Sequence, residues 1–244
     1  MKFLVGLGLS AALITGCGGP STSASPSASP SGSSSDCAAV QQDWAAGGVS
    51  SDWSGANLVN CDLSGANLGF GKFIGADLSG ADLSGANLFE ADLTNANLTG
   101  ANLTAVMSLT LQLDGANLTD ANLTGAVLES GYFIGANFTR ADLSGTDLHF
   151  ADFSDATMTD ANLSDSDLGP ANFSGADLVG ANLSGAKGGP NFAGANLTNA
   201  NLSGADFFFA DLTGANLMNA NLTNVTYCET TMPDGTQNND NCTP

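Results

Sequence analysis

From residue 56 onward the chain alternates a small apolar, a polar and a large apolar residue, as in Ala56-Asn57-Leu58. This Ala-Asp/Asn-Leu/Phe triplet occurs 23 times. Two residues, usually Ser or Thr followed by Gly, separate one triplet from the next. Large apolar positions therefore recur at every fifth residue from Leu58 to Leu183, and only Ser108 and Met158 depart from Leu or Phe. After Gly188-Gly189-Pro190 the series slips by one residue and resumes as Phe192, Leu197, Leu202, Phe207, Leu212, Leu217 and Leu222. A period of five matches neither a helix nor a continuous strand. Within a unit, Ala and Leu lie two apart and share one face of a short extended piece. The Ser/Thr-Gly pair then supplies a corner, where Gly accommodates the backbone. The pattern predicts a closed polygonal coil with Leu and Ala inside.

These units resemble the pentapeptide-repeat family over residues 52–227. The resemblance implies an all-β fold, a right-handed quadrilateral β-helix with four units per coil. About eight coils at ~4.8 Å each would make a rod on the order of 40 Å long. Four sides place residues twenty apart in one column. Trp53, Phe73, Leu93, Leu113, Phe133, Phe153, Phe173, Phe192 and Leu212 then align, gathering most of the inward phenylalanines. Stacked coils need caps at both ends. Residues 37–51 are the expected N-terminal cap, with a short helix over 36–44 and Asp36 at its N-cap. Residues 228–244 are the expected C-terminal cap, with a turn at Pro233-Asp234-Gly235. Cys37 and Cys61 fall near one end of such a rod, Cys228 and Cys242 near the other, which favours two local disulfides. The alternative for Cys61 is a buried free thiol.

Sorting outward residues by wall separates one side from the rest. The wall built on Leu58 has Ala at every small inward site, the wall built on Leu63 is nearly as strict and carries Ser or Thr just after each Leu, and both read as structural. The third wall, built on Leu68, Leu88, Ser108, Leu128, Leu148, Leu168 and Phe207, presents Phe70, Phe89, Met107, Leu109, Val127, His149, Phe150, Phe208 and Phe209 outward. Contiguous exposed apolar patches are uncommon on soluble monomers, so this wall is the candidate contact surface. Three occupants are open: the chain's own flanks, a second copy forming a homodimer, or a different protein or envelope component.

Composition then removes most other functions. With 24 acidic and 4 basic residues the net charge is −20, so nucleic acid should be repelled. His149 is the one histidine; a convex wall offers it no cleft in which nucleophile, base and oxyanion site could converge. The paired aspartates, such as Asp62 over Asp82, make no recognisable metal-ligand set, and neither catalytic residues nor a cofactor is expected. At the N-terminus, Met1-Lys2, an apolar run over 3–14 too short to span a bilayer, and Ile14-Thr15-Gly16-Cys17 resemble a bacterial lipoprotein leader. That implies a signal peptide over 1–16, lipidation of Cys17 and a Ser/Pro-rich tether over 17–36 holding the rod at the membrane outside the cytoplasm. The expected function is a non-enzymatic, lipid-anchored interaction or structural solenoid. The alternative, implied by the family, is an acidic DNA mimic that binds a DNA-binding enzyme such as gyrase.

Overall fold

The computed structural model describes residues 35–47, 51–240 and 242. Cys17, the leader and most of the Ser/Pro-rich segment lie outside them. Parallel backbone bridges join each unit to the one twenty residues later: Asn57 to Asp77, Asp62 to Asp82, Asn67 to Asn87, Lys72 to Asp92. Four units therefore close one coil, and four ladders of bridges run along a four-walled β-helix. The spacing falls to nineteen across the slip, as in Asn172 to Asn191 and Lys187 to Asp206, and returns to twenty at Asn191 to Asp211. One ladder runs from Asp52 through Lys72, Asp92, Gln112, Tyr132, Asp152, Asn172, Asn191 and Asp211 to Thr231. Ten members make nine steps, one coil more than the repeat suggests, because the C-terminal segment closes the last turn. At ~4.8 Å per step the rod is about 43 Å long.

The bridges stay isolated because turns follow each other so closely. At most corners the small residue donates its N–H to the carbonyl three residues back, as Ala76 to Phe73 at 3.0 Å, and the residue just before it has positive φ, 64° at Gly75. The polar residue of the triplet braces the same corner from outside. Asp82 Oδ1 accepts the Ser84 N–H at 2.9 Å, and Asn97 Oδ1 accepts the Thr99 N–H at 3.2 Å. Either side-chain oxygen performs this job, which is why Asp and Asn interchange. An Asn adds a bond across coils, as Asn97 Nδ2 to Asp77 Oδ1 at 2.9 Å.

Inside, Leu, Phe and Ala are buried almost without exception. The aromatic column forms as its alignment predicts. Phe153 and Phe173 stack at 4.9 Å between centroids, 5° from parallel, with Phe192 5.2 Å beyond Phe173 and Phe133 4.6 Å on the other side. Phe138, from the adjoining wall, meets Phe153 at 5.4 Å.

Helix α1 (Ser35–Ala45) lies over the first coil. Asp36 is not its N-cap: the helix begins one residue earlier, and the Asp36 carboxylate instead accepts the Asn57 N–H at 3.0 Å. Gln41 Nε2 donates to the Asp62 carbonyl at 2.7 Å. These are backbone groups that elsewhere pair with a preceding coil, so the helix substitutes for one. Val40 is buried beneath it, and Cys37 is joined to Cys61 with Cα atoms 5.6 Å apart. At the other end β1 (Asp206–Phe208) pairs in parallel with β2 (Thr226–Cys228). Then β3 (Thr230–Thr231) and β4 (Gln237–Asn238) form an antiparallel hairpin. Its turn is closed by Gly235 N–H to Met232 O at 2.9 Å, and Cys228 is joined to Cys242 with Cα atoms 4.9 Å apart. This cap covers two walls. On the others, Leu222 is partly exposed, and the N–H groups of Leu217 and Leu222 make no hydrogen bond among the described residues.

Candidate interaction surface

The third wall carries the outward aromatics where the twenty-residue register places them. Bridges Asn67–Asn87, Asn87–Met107, Met107–Val127, Val127–Asp147, Asp147–Asp167, Asp167–Lys187 and Lys187–Asp206 define it as one continuous ladder. Phe70 (46% exposed), Met107, Leu109, Val127, Phe150 (63%), Phe208 and Phe209 (57%) all face solvent, whereas Phe207 is fully buried. Phe89 differs: it is half-buried because Phe70, from the coil before, packs edge-on against it at 5.2 Å. Phe208 and Phe209 form a second edge-to-face pair at 4.2 Å. Among the described residues, helix α1 lies over the first coil's end and the hairpin follows the last, and neither covers these rings.

The corner beside this wall is built differently from the other three. Phe70, Phe150 and Phe209 sit at φ of 61°, 61° and 63°, and Glu90, Thr110 and Ser130 share the conformation. Elsewhere the equivalent corners are mostly Gly, with Asn and Asp as the commonest substitutes. A bulky residue in the left-handed region costs on the order of 1–2 kcal/mol. A large aromatic held there is exposed at an energetic disadvantage.

His149 belongs to a charged chain on the same wall. Its Nδ1 lies 2.7 Å from Asp147 Oδ1 and its Nε2 3.7 Å from Asp167 Oδ1, and Lys187 Nζ meets Asp167 Oδ2 at 3.0 Å. The ring rests on Gly169: a Cβ there would fall 2.4 Å from His149 Cδ2. Partial burial works against ionisation of Asp147, but the His149 ring and N–H, with Lys187, outweigh it and hold its carboxyl below the ordinary value. Arg140, between Asp120 and Asp160 by register, pairs with Asp120 alone, through Nε and Nη2 at 2.7 Å each. That pair lies away from the aromatic wall and lowers the Asp120 carboxyl through the guanidinium hydrogen bond.

Two features escape a reading of outward phenylalanines. Tyr132, Ile74 and Ile134 are exposed on the wall that follows the third, so apolar surface continues around the corner; Tyr132 in a slot otherwise filled by polar residues was the available signal. Val59 and Met218 are exposed on the first wall, which is therefore not uniformly polar.

The repeat-family model described as pentapeptide repeats matches this chain in eight copies, over residues 50–80, 72–104, 112–149, 121–160, 151–187 and 191–224. No curated protein matches significantly. Among solved structures, HetL, a pentapeptide repeat protein involved in heterocyst differentiation regulation from the cyanobacterium Nostoc sp. strain PCC 7120, is 29% identical, with 82% of this chain and 98% of that one covered at a TM-score of 0.44. A trypsin-treated form of QnrB1, a plasmid-mediated fluoroquinolone resistance protein, is 22% identical over 72% of this chain and 91% of its own, at a TM-score of 0.46. A pentapeptide repeat protein from the Arabidopsis thaliana thylakoid lumen is 29% identical over 46% of this chain and 68% of its own, at 0.29. With the five-residue units, the twenty-residue register and the family match all covering the same stretch, the chain belongs to the pentapeptide-repeat family.

Proposed function

We propose that this chain is a non-enzymatic, right-handed pentapeptide-repeat solenoid, anchored to the outer face of the membrane through lipidated Cys17, that binds a protein partner through its third wall. One observation carries the reading: every outward phenylalanine of the repeat lies on that wall, and three of them occupy left-handed corners that other walls fill mainly with Gly, Asn or Asp. The test is sedimentation and capture from envelope extract, comparing the chain with its Phe150→Ser/Phe208→Ser variant. Loss of a captured protein at unchanged mass supports the reading; capture that is indifferent to both substitutions defeats it. Membrane association abolished by Cys17→Ala supports the anchor, and retention would remove it.

The charge of −20 favours a second reading, an acidic DNA mimic directed at gyrase. Many of the carboxylates brace corners, where Asn serves equally, and the third wall sets its outward phenylalanines among its acids, where a DNA mimic would want carboxylates alone. Inhibition of gyrase supercoiling by the purified rod would nevertheless overturn this preference.

A further inference from the structure

The last coil ends unevenly. Along the first two walls of the coil before it, Leu197 donates its N–H to the Asn216 carbonyl, Asn199 to Met218, Leu202 to Asn221 and Gly204 to Thr223, each at 2.8–2.9 Å. One coil on, the equivalent N–H groups of Leu217, Asn219, Leu222 and Asn224 find no acceptor among the described residues, and the carbonyls of Ala215 and Ala220 no donor. Met218 is 59% exposed and Leu222 37%. On the fourth wall the ladder goes on. Leu212 donates to the Thr231 carbonyl at 2.8 Å, Thr231 lies over Asp211, and β4 lies over β3. On the third wall the Tyr227 N–H meets the Asp240 carbonyl at 2.9 Å. The outer edge of β4 is covered by no further strand among the described residues. The rod therefore ends in a step, two strands or ~10 Å high on the fourth wall, with a bare backbone edge on its floor and another on its crest.

We infer that this step is an interface for a second copy of the chain, docked end to end about a two-fold axis. The crest of each copy seats on the floor of the other. β4 of one copy then lies along the Leu217 edge of its partner, and both bare edges are paired at once. Each copy gives one edge and takes one, so the contact closes on itself as a dimer.

Charge and edge chemistry select this occupant. Unpaired strand edges are templates for another chain. Nothing between Asp211 and Glu229 is charged. The nearest carboxylate on either open wall, Asp177, lies two coils back, ~10 Å away and about one Debye length. A chain of −20 repels its copy along most of its surface, but not here. In the two-fold arrangement the cap acids Glu229, Asp234 and Asp240 meet the partner's uncharged walls and stay apart from one another. Head-to-tail stacking is closed, because helix α1 already takes the Asn57 N–H and the Asp62 carbonyl at the other end. This end contact is separate from the third wall and does not depend on what binds there.

The test is sedimentation equilibrium of the full chain up to millimolar concentration, with amide hydrogen exchange on the same samples. A monomer–dimer equilibrium is expected, with exchange at Leu217, Asn219, Leu222 and Asn224 slowing as the dimer fills. Asn216→Asp/Asn221→Asp adds one carboxylate to each open wall and keeps the corner bonds these side chains accept from Met218 and Thr223. Asp and Asn interchange at these sites in other coils, so the fold survives, and the dimer's dissociation constant should rise at least tenfold, less so in high salt. A chain that stays monomeric throughout, a mass that grows beyond two copies, or a dimer indifferent to the two aspartates would each overturn the inference. Dimerisation lost in Phe150→Ser/Phe208→Ser but kept with the aspartates would overturn it too, by moving the contact to the third wall.

Discussion

Phe150 is held where its backbone least favours it. With φ at 61° and the side chain mostly in solvent, its ring returns little burial for the left-handed penalty. Glycine in its place removes that penalty, of order 1–2 kcal/mol, while adding unfolded-chain entropy worth about 0.5–1 kcal/mol. Phe150→Gly should therefore raise stability by roughly 0.5 kcal/mol, visible as a higher urea midpoint, and should lose partner capture. A fall in stability would mean that the ring supports the fold instead. Beside it, the lowered Asp147 carboxyl carries a pH signature. A depressed folded-state value contributes stability that is complete above the ordinary aspartate range near 3.9 and is lost as pH falls through the lowered value. The ¹³C shift of the Asp147 carboxyl should titrate below that range, and His149→Ala should bring it back up.

The aromatic column and the two caps answer for stability at the level of elements. Phe153 touches Phe133, Phe138 and Phe173 at once, so Phe153→Ala opens a cavity no neighbour can close and should cost about 3–5 kcal/mol in urea unfolding. The N-terminal cap is held by chain connectivity as well as hydrogen bonds. Replacing both Cys37 and Cys61 by Ser should cost roughly 3 kcal/mol on the loop-closure scale and expose Val40 and the first coil to proteolysis. Much of this was legible beforehand. Twenty-residue spacing of Phe133, Phe153 and Phe173 is enough to align the column, and cysteine positions relative to the rod's ends suffice to pair them. Asp36 shows where reading fails. Asp before an apolar run signals an N-cap, yet its carboxylate is drawn to the Asn57 N–H, an acceptor requirement that exists only once the coil has an end. The register change at the slip is only half visible for the same reason: a one-residue shift after Gly188-Gly189-Pro190 is plain in the sequence, but which residues it brings face to face, as Asn172 with Asn191, depends on the coil count.

At the scale of the whole molecule, the aromatic wall exists because a twenty-residue coil returns every fourth unit to the same side. Two deletions separate that register from mere foldedness. Removing residues 117–136 excises one complete coil and joins Ala116 to Asn137 in phase, so each later unit keeps its wall and Phe150, Phe208 and Phe209 stay in line with Phe70. Removing residues 117–121 joins Ala116 to Asn122, also in phase for the five-residue unit, but moves every later unit by one wall. Both deletions eliminate the Asp120 partner of Arg140, so loss of that exposed pair is common to them. The shorter rod should retain capture at the Phe150–Phe209 end and, if the partner spans the wall, lose little more than the avidity of one coil's length. The five-residue deletion should still give a β-rich circular dichroism spectrum, with a lower urea midpoint because the inward columns before and after the junction no longer match, although the stack from Phe133 to Phe207 lies wholly after it and stays intact. It should lose any binding that needs Phe70 and Phe150 together, since those rings now lie a quarter-turn apart. Equal capture by both deletions would show that the partner reads one short stretch and never the wall as a whole.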